Sequence, residues 1–410
     1  MEISRRKVLL GGGAIGAAGA LAMASPAGAR SLWTWKPSGS VAGAGAGADP
    51  KWVWDELADP VVASLLDRGD VPRVNELLRT WTYNSQLLPA GLPADVRDFV
   101  EQARQLPSWV DHAKLQTAGD FYKKRGLYLG LLYGFGSGMM SCAIPNEARA
   151  VYYSKGGSDM RDRITKTGKL GHDIGDLNAY QPAGDMVVTA VKTRMVHAAV
   201  RHLLPQSPHW PSVAGQKPIP ISQADIMVTW HSLATFAMSQ LKKWQLRIPA
   251  AESTAFLHLW QVSAHMLGVL DEYIPASWDE ANAQSAQVLA PIVGPTPEGI
   301  ALADILLDIA QLDLNGDGRS ILRPPLHALT RYMLGDAVTD GLEIPREPYW
   351  DGLVAWAWPR FVALREGALL LPLSPSIAWV FDEILRTGVL FYLGEGQSIS
   401  IEMPTANRAF

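Results

Sequence analysis

The chain has little cysteine, with Cys142 the only one among 410 residues. One thiol cannot form an intramolecular disulfide. It also cannot supply the four thiolates of an iron–sulfur cluster or the C-x-x-C-H sequence that attaches haem covalently. Stability must therefore come from a hydrophobic core, and a mature chain of roughly 380 residues is long enough to bury one.

Charge is also scarce, because charged residues make up 19% of the chain and the net charge is -4. This balance excludes the basic field of a nucleic-acid-binding protein. The alternation of Val, Ile and Thr that marks β-strands is almost missing, whereas helical periodicity recurs along the chain. We therefore predict an all-α protein.

No apolar run is suited to cross a membrane without interruption. The Gly-rich stretch 118–140 contains Lys123, Lys124 and Arg125, and Leu369–Leu390 is broken by Pro372 and Pro375. We read 118–140 as a buried helix with close helix contacts, and we expect no stable membrane anchor.

The N-terminus carries a targeting signal. Ser4–Leu10 reads SRRKVLL, a twin-arginine motif, and a Gly/Ala-rich run leads from it to Ala27-Gly28-Ala29. We predict a twin-arginine signal peptide at 1–29, export by the twin-arginine machinery and an extracellular location. An N-terminal anchor helix is the alternative. Residues 30–50 are expected to be flexible because they are rich in Ser, Gly and Ala, and 51–410 form a single all-α domain.

A long apolar helix is predicted from Met186 to Leu204, with Gly184 before it and Pro205 closing it. His197 lies on one stripe of this helix with Arg194 and Arg201. One interpretation is a core histidine bonded to a backbone carbonyl. The other is a haem ligand, with arginines for the propionates.

The segment 145–170 contains a second group of candidate residues, Glu147, Arg163, Lys166 and Thr167. Glu147 suits the first turn of a helix, and Arg163 and Lys166 can each pair with an acid four residues earlier. Taken singly, these residues indicate a solvated surface. Two short helices around Gly156-Gly157 would, however, bring them together as the lining of a pocket.

Together, Glu147, the run Arg163-Ile164-Thr165-Lys166-Thr167, Arg194 and His197 resemble the core motif of the latex clearing proteins, secreted rubber oxygenases of actinobacteria. The resemblance implies a globin-like haem-binding helical core with additional N- and C-terminal helices. It also implies haem b as the non-covalent cofactor and dioxygen as co-substrate. The implied activity is internal cleavage of poly(cis-1,4-isoprene) to oligo-isoprenoids with aldehyde and ketone ends.

The resemblance also implies roles for the residues. His197 would be the proximal iron ligand, and Lys166 the distal residue that coordinates iron in a closed state and swings away in an open one. Glu147 would be the base on an allylic hydrogen, with Arg163 and Thr167 keeping it ionised and oriented. The assignment of Arg194 and Arg201 to the propionates is our inference and does not come from the motif.

Two other functions stay open at this point. One is an exported haem carrier or sensor in which Lys166 and His197 hold iron permanently, and the other is a metal-free helical protein that binds apolar polymer or lipid. We expect a monomer. Asp313–Gly318 matches the first half of a calcium loop, but Pro324 stands where that loop needs a glutamate, so we predict a turn that ends a helix.

Overall fold

The computed structural model describes residues 36–44, 47–155, 159–311, 322–368 and 374–409. Within these ranges the chain is helical without strands, and β-pairing is confined to two isolated bridges. The prediction of an all-α fold is therefore confirmed. The predicted signal peptide and the Asp313–Gly318 turn lie outside the described residues.

Eighteen α-helices are described, and we number them in chain order. They are α1 (Asp59–Asp67), α2 (Val71–Arg79), α3 (Ala94–Ala103), α4 (His112–Leu131), α5 (Gly138–Cys142), α6 (Pro145–Tyr153), α7 (Met160–Asp173), α8 (Met186–Leu203), α9 (Trp210–Val213), α10 (Gln223–Trp230), α11 (Phe236–Lys243), α12 (Ala250–Met266), α13 (Trp278–Val288), α14 (Pro297–Ala310), α15 (Arg323–Leu334), α16 (Asp336–Gly341), α17 (Pro348–Ala368) and α18 (Ser374–Leu393). Two π-helical segments, Leu132–Ser137 and His231–Thr235, continue α4 and α10.

Helix α8 is the central helix that the sequence predicts. It ends at Leu203, one residue before the predicted end, and a 3₁₀ turn at Leu204–Gln206 follows because Pro205 cannot continue the helix. Val187, Val191 and Ala199 are buried in the main core. Helices α1, α7 and α12 pack around α8, so the His197 stripe faces other helices.

The Gly-rich stretch forms the close helix contact expected of it. Ser137 Oγ lies 2.9 Å from Ser232 Oγ where the two π-helical segments meet. A Cβ on Gly136 would lie 2.4 Å from Cε1 of Phe236, so only glycine allows this approach. Among the described residues no single helix is long and apolar enough to cross a membrane. The consecutive segments His112–Cys142 and Pro145–Tyr153 are long and apolar enough when taken together, but the chain bends by 89° between them.

The N-terminal segment differs from the expectation. Val41 N donates to Ile274 O at 2.9 Å, and Ala276 N donates to Gly39 O at 2.9 Å. The backbone of residues 36–44 is thus tied to the loop before α13. Composition predicts a flexible linker but carries no information about these backbone hydrogen bonds. The expectation is therefore wrong for this part of 30–50.

Two helix ends also require correction. The sequence pattern predicts one helix from Ala250 to Tyr273, but α12 ends at Met266 because Gly268 adopts a positive φ of 88°. At the start of α7 the sequence pattern predicts Ser158 as the cap, but the cap is Asp159, whose carboxylate accepts from Asp162 N at 3.0 Å.

Candidate active site

Four helices, α6, α7, α8 and α10, bring together the candidate site. Pro145 is the first residue of α6, where a missing N–H costs nothing, and this start places Glu147 in the first turn. Arg163 lies on α7 and His197 on α8. These two helices pack against each other directly.

His197 lies deep in the protein and is uncharged. Its Nδ1 is buried and has no hydrogen-bond partner in the described part of the chain, while the side chain keeps some accessible surface. Burial, with the charges of Arg201 and Arg163, lowers the pKa of His197 to about 3. The imidazole therefore keeps a free lone pair at neutral pH, as a metal ligand must.

Glu147 is held by a residue on another helix. Thr229 Oγ1, on α10, donates to Glu147 Oε1 at 2.7 Å. Burial raises the pKa of Glu147 to about 8, the nearby charge of Asp225 adds to the rise, and Arg163 opposes it. Burial thus favours the neutral acid near pH 7, while Thr229 and Arg163 favour the ionised carboxylate expected from the sequence.

Arg163 links the two groups electrostatically. Its positive charge lowers the pKa of both Glu147 and His197. Burial lowers the pKa of Arg163 itself, whereas the charge of Glu147 raises it. All three side chains lie deep in the protein, yet each retains accessible surface. Arg163 lies close enough to Glu147 and to His197 for its charge to act on both, so the three side chains form one cluster.

The structure places Lys166 and Thr167 differently. Lys166 Nζ is paired with Asp162 Oδ2 at 2.7 Å on α7, the surface pairing that the sequence allowed as an alternative. Thr167 is exposed. The hydrogen bond to Glu147 comes from Thr229 instead, so the expectation that Thr167 holds Glu147 is wrong for this structure. Thr229 lies 82 residues beyond Glu147, and no local pattern connects them.

Both arginines of the His197 helix are paired with carboxylates near α1. Arg194 binds Asp55 through two nitrogens, with Nη2 at 2.8 Å from Oδ1, and Arg201 Nη2 lies 2.6 Å from Asp59 Oδ1. Burial favours a higher pKa for Asp55, but the hydrogen bonds and charge of Arg194 outweigh it and hold the pKa below its ordinary value. The propionate assignment of Arg194 and Arg201 therefore stays a prediction.

The remaining histidines and the cysteine do not add a metal centre. His258 Nε2 accepts from Asp111 N at 2.8 Å, and His265 Nδ1 lies 2.7 Å from Asp271 Oδ1. Cys142 is a buried free thiol, whose pKa burial raises to about 12. No group of three or more His, Cys, Asp or Glu side chains in the described ranges is arranged to hold a metal ion.

Three comparisons with known proteins agree with each other. Residues 124–364 match the family model described as "ER-bound oxygenase mpaB/B'/Rubber oxygenase, catalytic domain". The chain is 59% identical over 406 residues to the rubber oxygenase of Streptomyces sp. (strain K30), covering 99% of this chain and 98% of the relative. It is also similar to the solved structure of a latex clearing protein in the closed state, with a TM-score of 0.81 and 59% identity over 91% of this chain and 99% of that one.

The matched region contains every residue of the candidate site, from Glu147 to Thr229. The identity extends over nearly the whole chain, well beyond that region. The chain is an oxygenase and belongs to the rubber oxygenase family.

Proposed function

We propose that this protein is a secreted haem b oxygenase that uses dioxygen to cleave the double bonds of poly(cis-1,4-isoprene) internally. The products would be oligo-isoprenoids with aldehyde and ketone ends. The observation that carries the proposal is the cluster of three partly buried side chains, His197, Arg163 and Glu147. The family's name, and that of the relative that is 59% identical, support rubber as the substrate.

The residues of this cluster fit a haem. The neutral imidazole of His197 has a buried Nδ1 without a hydrogen-bond partner in the described part of the chain, and a buried polar atom left without a partner is explained by a group that binds there. His197 would hold the iron, and when bound the haem would supply the redox activation of dioxygen. Lys166 is paired with Asp162 and would have to leave that carboxylate before it could also hold the iron.

Glu147 is the proposed catalytic base for an allylic hydrogen of the isoprene unit. A carboxyl whose pKa is about 8 can both take and return a proton near neutral pH, which is the range that general acid–base catalysis favours. Thr229 fixes Oε1, leaving Oε2 for the substrate. General base catalysis contributes about 10²- to 10⁴-fold, so Glu147 can assist the oxidation but cannot remove such a hydrogen alone.

Arg163 is a positioning residue in this scheme. Its positive charge favours the ionised form of Glu147 and disfavours a protonated His197. The guanidinium thus adds to the effect of burial on His197 and partly offsets the effect of burial on Glu147. The packing of α6 and α7 around these polar groups would keep bulk water from the apolar substrate.

A spectrum and a product assay test the proposal. Purified protein should show a Soret band, and incubation with polyisoprene latex under air should release carbonyl-ended oligomers that chromatography separates. A Soret band without oligomers would indicate a haem carrier or sensor. A colourless folded protein that binds latex would indicate a metal-free polymer-binding protein.

We further propose export through the twin-arginine machinery and action outside the cell as a monomer. The sequence of residues 4–29 supports the export route. A polymer too large to enter a cell must be cut outside it, which agrees with that route.

A further inference from the structure

Exposed apolar side chains concentrate on the two C-terminal helices. Of the sixteen large hydrophobic residues that are exposed in the described ranges, eleven belong to α17 and α18. We call these eleven the C-terminal apolar face: Tyr349, Leu353, Trp356, Phe361, Leu364, Val380, Phe381, Ile384, Leu385, Val389 and Phe391. Exposed apolar side chains concentrated on two helices in this way are typical of an interaction surface.

Most charged residues of the same helices are buried or half-buried, whereas Arg360 is exposed and lies over the ring of Trp356. Asp382 is 2% exposed, and its Oδ2 accepts from Leu127 N at 3.0 Å and pairs with Arg365 Nη2 at 2.5 Å. Glu366 Oε2 lies 2.8 Å from Arg125 Nη2 on α4. These buried ion pairs fasten α17 and α18 to the body of the protein.

The arrangement is the reverse of an ordinary surface helix. Leu364 is 75% exposed and Ile384 65%, whereas the side chain of the adjacent Arg365 is only 11% exposed. A helix that faces water turns its charges outward and its apolar stripe inward. Helices with the opposite orientation are suited to contact with an apolar medium.

The face is continuous with the candidate site through α7. Arg161 Nη1 donates to Tyr392 O at 3.2 Å, and Arg386 Nη2 donates to His172 O at 2.9 Å. A Cβ on Gly168 would lie 3.2 Å from Cδ2 of Leu390, so α18 rests directly on α7. Helix α7 also carries Arg163, so an apolar surface bound to α18 lies next to the proposed catalytic helix.

We propose that the C-terminal apolar face adsorbs the protein to the hydrocarbon surface of polyisoprene, which holds the polymer beside α7. This inference rests on the proposed function. The occupant should be mainly apolar, because the ion-paired arginines and carboxylates of α17 and α18 are turned away from it and the exposed Arg360 is covered on one side by Trp356. An anionic lipid surface would instead call for several outward-facing Lys and Arg. Helix α18 lies beyond the matched catalytic region, which ends at residue 364, so substitutions on α18 test attachment outside that region.

Two triple variants of the full-length protein test the proposal. The first replaces Phe381, Ile384 and Val389 with serine, and the control replaces Tyr83, Leu87 and Leu270, which are exposed elsewhere, with serine. The measurement is the fraction of protein bound to washed cis-polyisoprene emulsion, with turnover of a detergent-dispersed short isoprene oligomer beside it. We expect the first variant to lose about tenfold or more in binding, because buried apolar area is removed from the contact. Turnover of the short oligomer should stay unchanged, and the control should match wild type.

Several outcomes would overturn the proposal. These are equal binding by both triple variants, preferential binding of wild type to phosphatidylcholine vesicles, and a wild-type dimer in light scattering that the first variant breaks. Because serine could disturb the packing of α18, Ile384→Lys provides a second variant that must also lose binding while keeping the far-ultraviolet circular dichroism of wild type. Adsorption of wild type to polyisoprene without cleavage by wild type or any variant would support the C-terminal apolar face as a binding surface and contradict the proposed function.

Discussion

At the residue scale, the candidate site consists of ionisable groups that burial pushes toward neutrality. Burial is the largest influence on the pKa of His197, Glu147 and Arg163 alike. The identities of these three residues could be predicted from helical spacing and a family resemblance. Thr229 could not, because its contact with Glu147 depends on how α10 packs.

Replacing the imidazole should remove the cofactor. We expect His197→Ala to lower haem content by about 10- to 100-fold or more, since no other described side chain beside it can replace a neutral nitrogen ligand. The Soret absorbance per protein and the iron content measure the loss, and circular dichroism shows whether the helices remain. A His197→Ala protein with the spectrum and iron content of wild type would remove the ligand assignment.

The carboxyl should control the pH dependence of turnover. Since burial raises the pKa of Glu147 to about 8, the ionised base is a minor form at pH 7 and activity should rise with pH until it levels off above about pH 8. Glu147→Gln keeps the shape but cannot ionise, so we expect turnover about 10²- to 10⁴-fold lower and without this rise. Oxygen consumption against pH measures both effects.

Glu298→Gln is the matched control for that experiment, because Glu298 is also buried but accepts from Tyr153 Oη at 3.0 Å. Despite burial, its backbone hydrogen bond and that from Tyr153 keep the pKa of Glu298 below its ordinary value. The control should retain the wild-type rise. A Glu147→Gln enzyme as active as wild type would contradict the catalytic role.

At the element scale, the boundaries that the sequence predicts well are those set by local chemistry. Pro205 ends α8 where expected, because proline acts through its own backbone. The end of α12 and the docking of residues 36–44 are set by neighbouring segments instead. Periodicity and composition carry no information about those neighbours, which is why both expectations are wrong.

Two glycines of the same stretch should respond oppositely to alanine. Gly136→Ala places a Cβ 2.4 Å from the Phe236 ring and should lower the free energy of unfolding by about 1–3 kcal/mol through overpacking. A Cβ at Gly130, an exposed position of α4, would meet no atom within 4 Å, so Gly130→Ala should raise the free energy of unfolding by up to about 1 kcal/mol. Chemical denaturation measures both, and equal effects would contradict the close crossing of the two π-helical segments.

The ion pair between Arg194 and Asp55 should stabilise the contact of α8 with the N-terminal segment. The side chains are only 12% and 4% exposed, so Asp55→Ala leaves a buried guanidinium unpaired and should cost about 3–5 kcal/mol. Glu402→Ala, which breaks an exposed pair with Arg79, should cost about 0–1 kcal/mol. Denaturant titrations at pH 7 compare the stability that each variant loses. Similar losses in the two variants would mean that Arg194 has another partner.

The ion pair between Arg194 and Asp55 also predicts how the stability of the fold changes with pH. Because the pKa of Asp55 is below its ordinary value, its contribution to stability is present above about pH 4 and decreases as the pH falls further. Wild type should therefore lose more stability on acidification than Asp55→Ala.

At the scale of the whole molecule, the sequence predicts the fold class but not the surface. The helical pattern and single cysteine are enough for an all-α protein without disulfides. The C-terminal apolar face could not be predicted, because the same apolar residues on α17 and α18 would suit a buried helix. Only the inward ion pairs of Arg125, Arg365 and their partners show which side of each helix faces out.

The route of export should depend on the twin-arginine pair and on folding. The proposed haem, held non-covalently among α6, α7 and α8, would be inserted as the protein folds, and the twin-arginine route carries folded proteins. We expect Arg5→Lys together with Arg6→Lys to keep a folded, haem-loaded protein inside the cell, measured by immunoblot and Soret absorbance of cell and medium fractions. Replacing residues 1–29 with a leader for unfolded export should release protein into the medium with little haem. Export of the double-lysine variant at the wild-type level would contradict the predicted route, because lysine keeps the charge and loses only the guanidinium geometry.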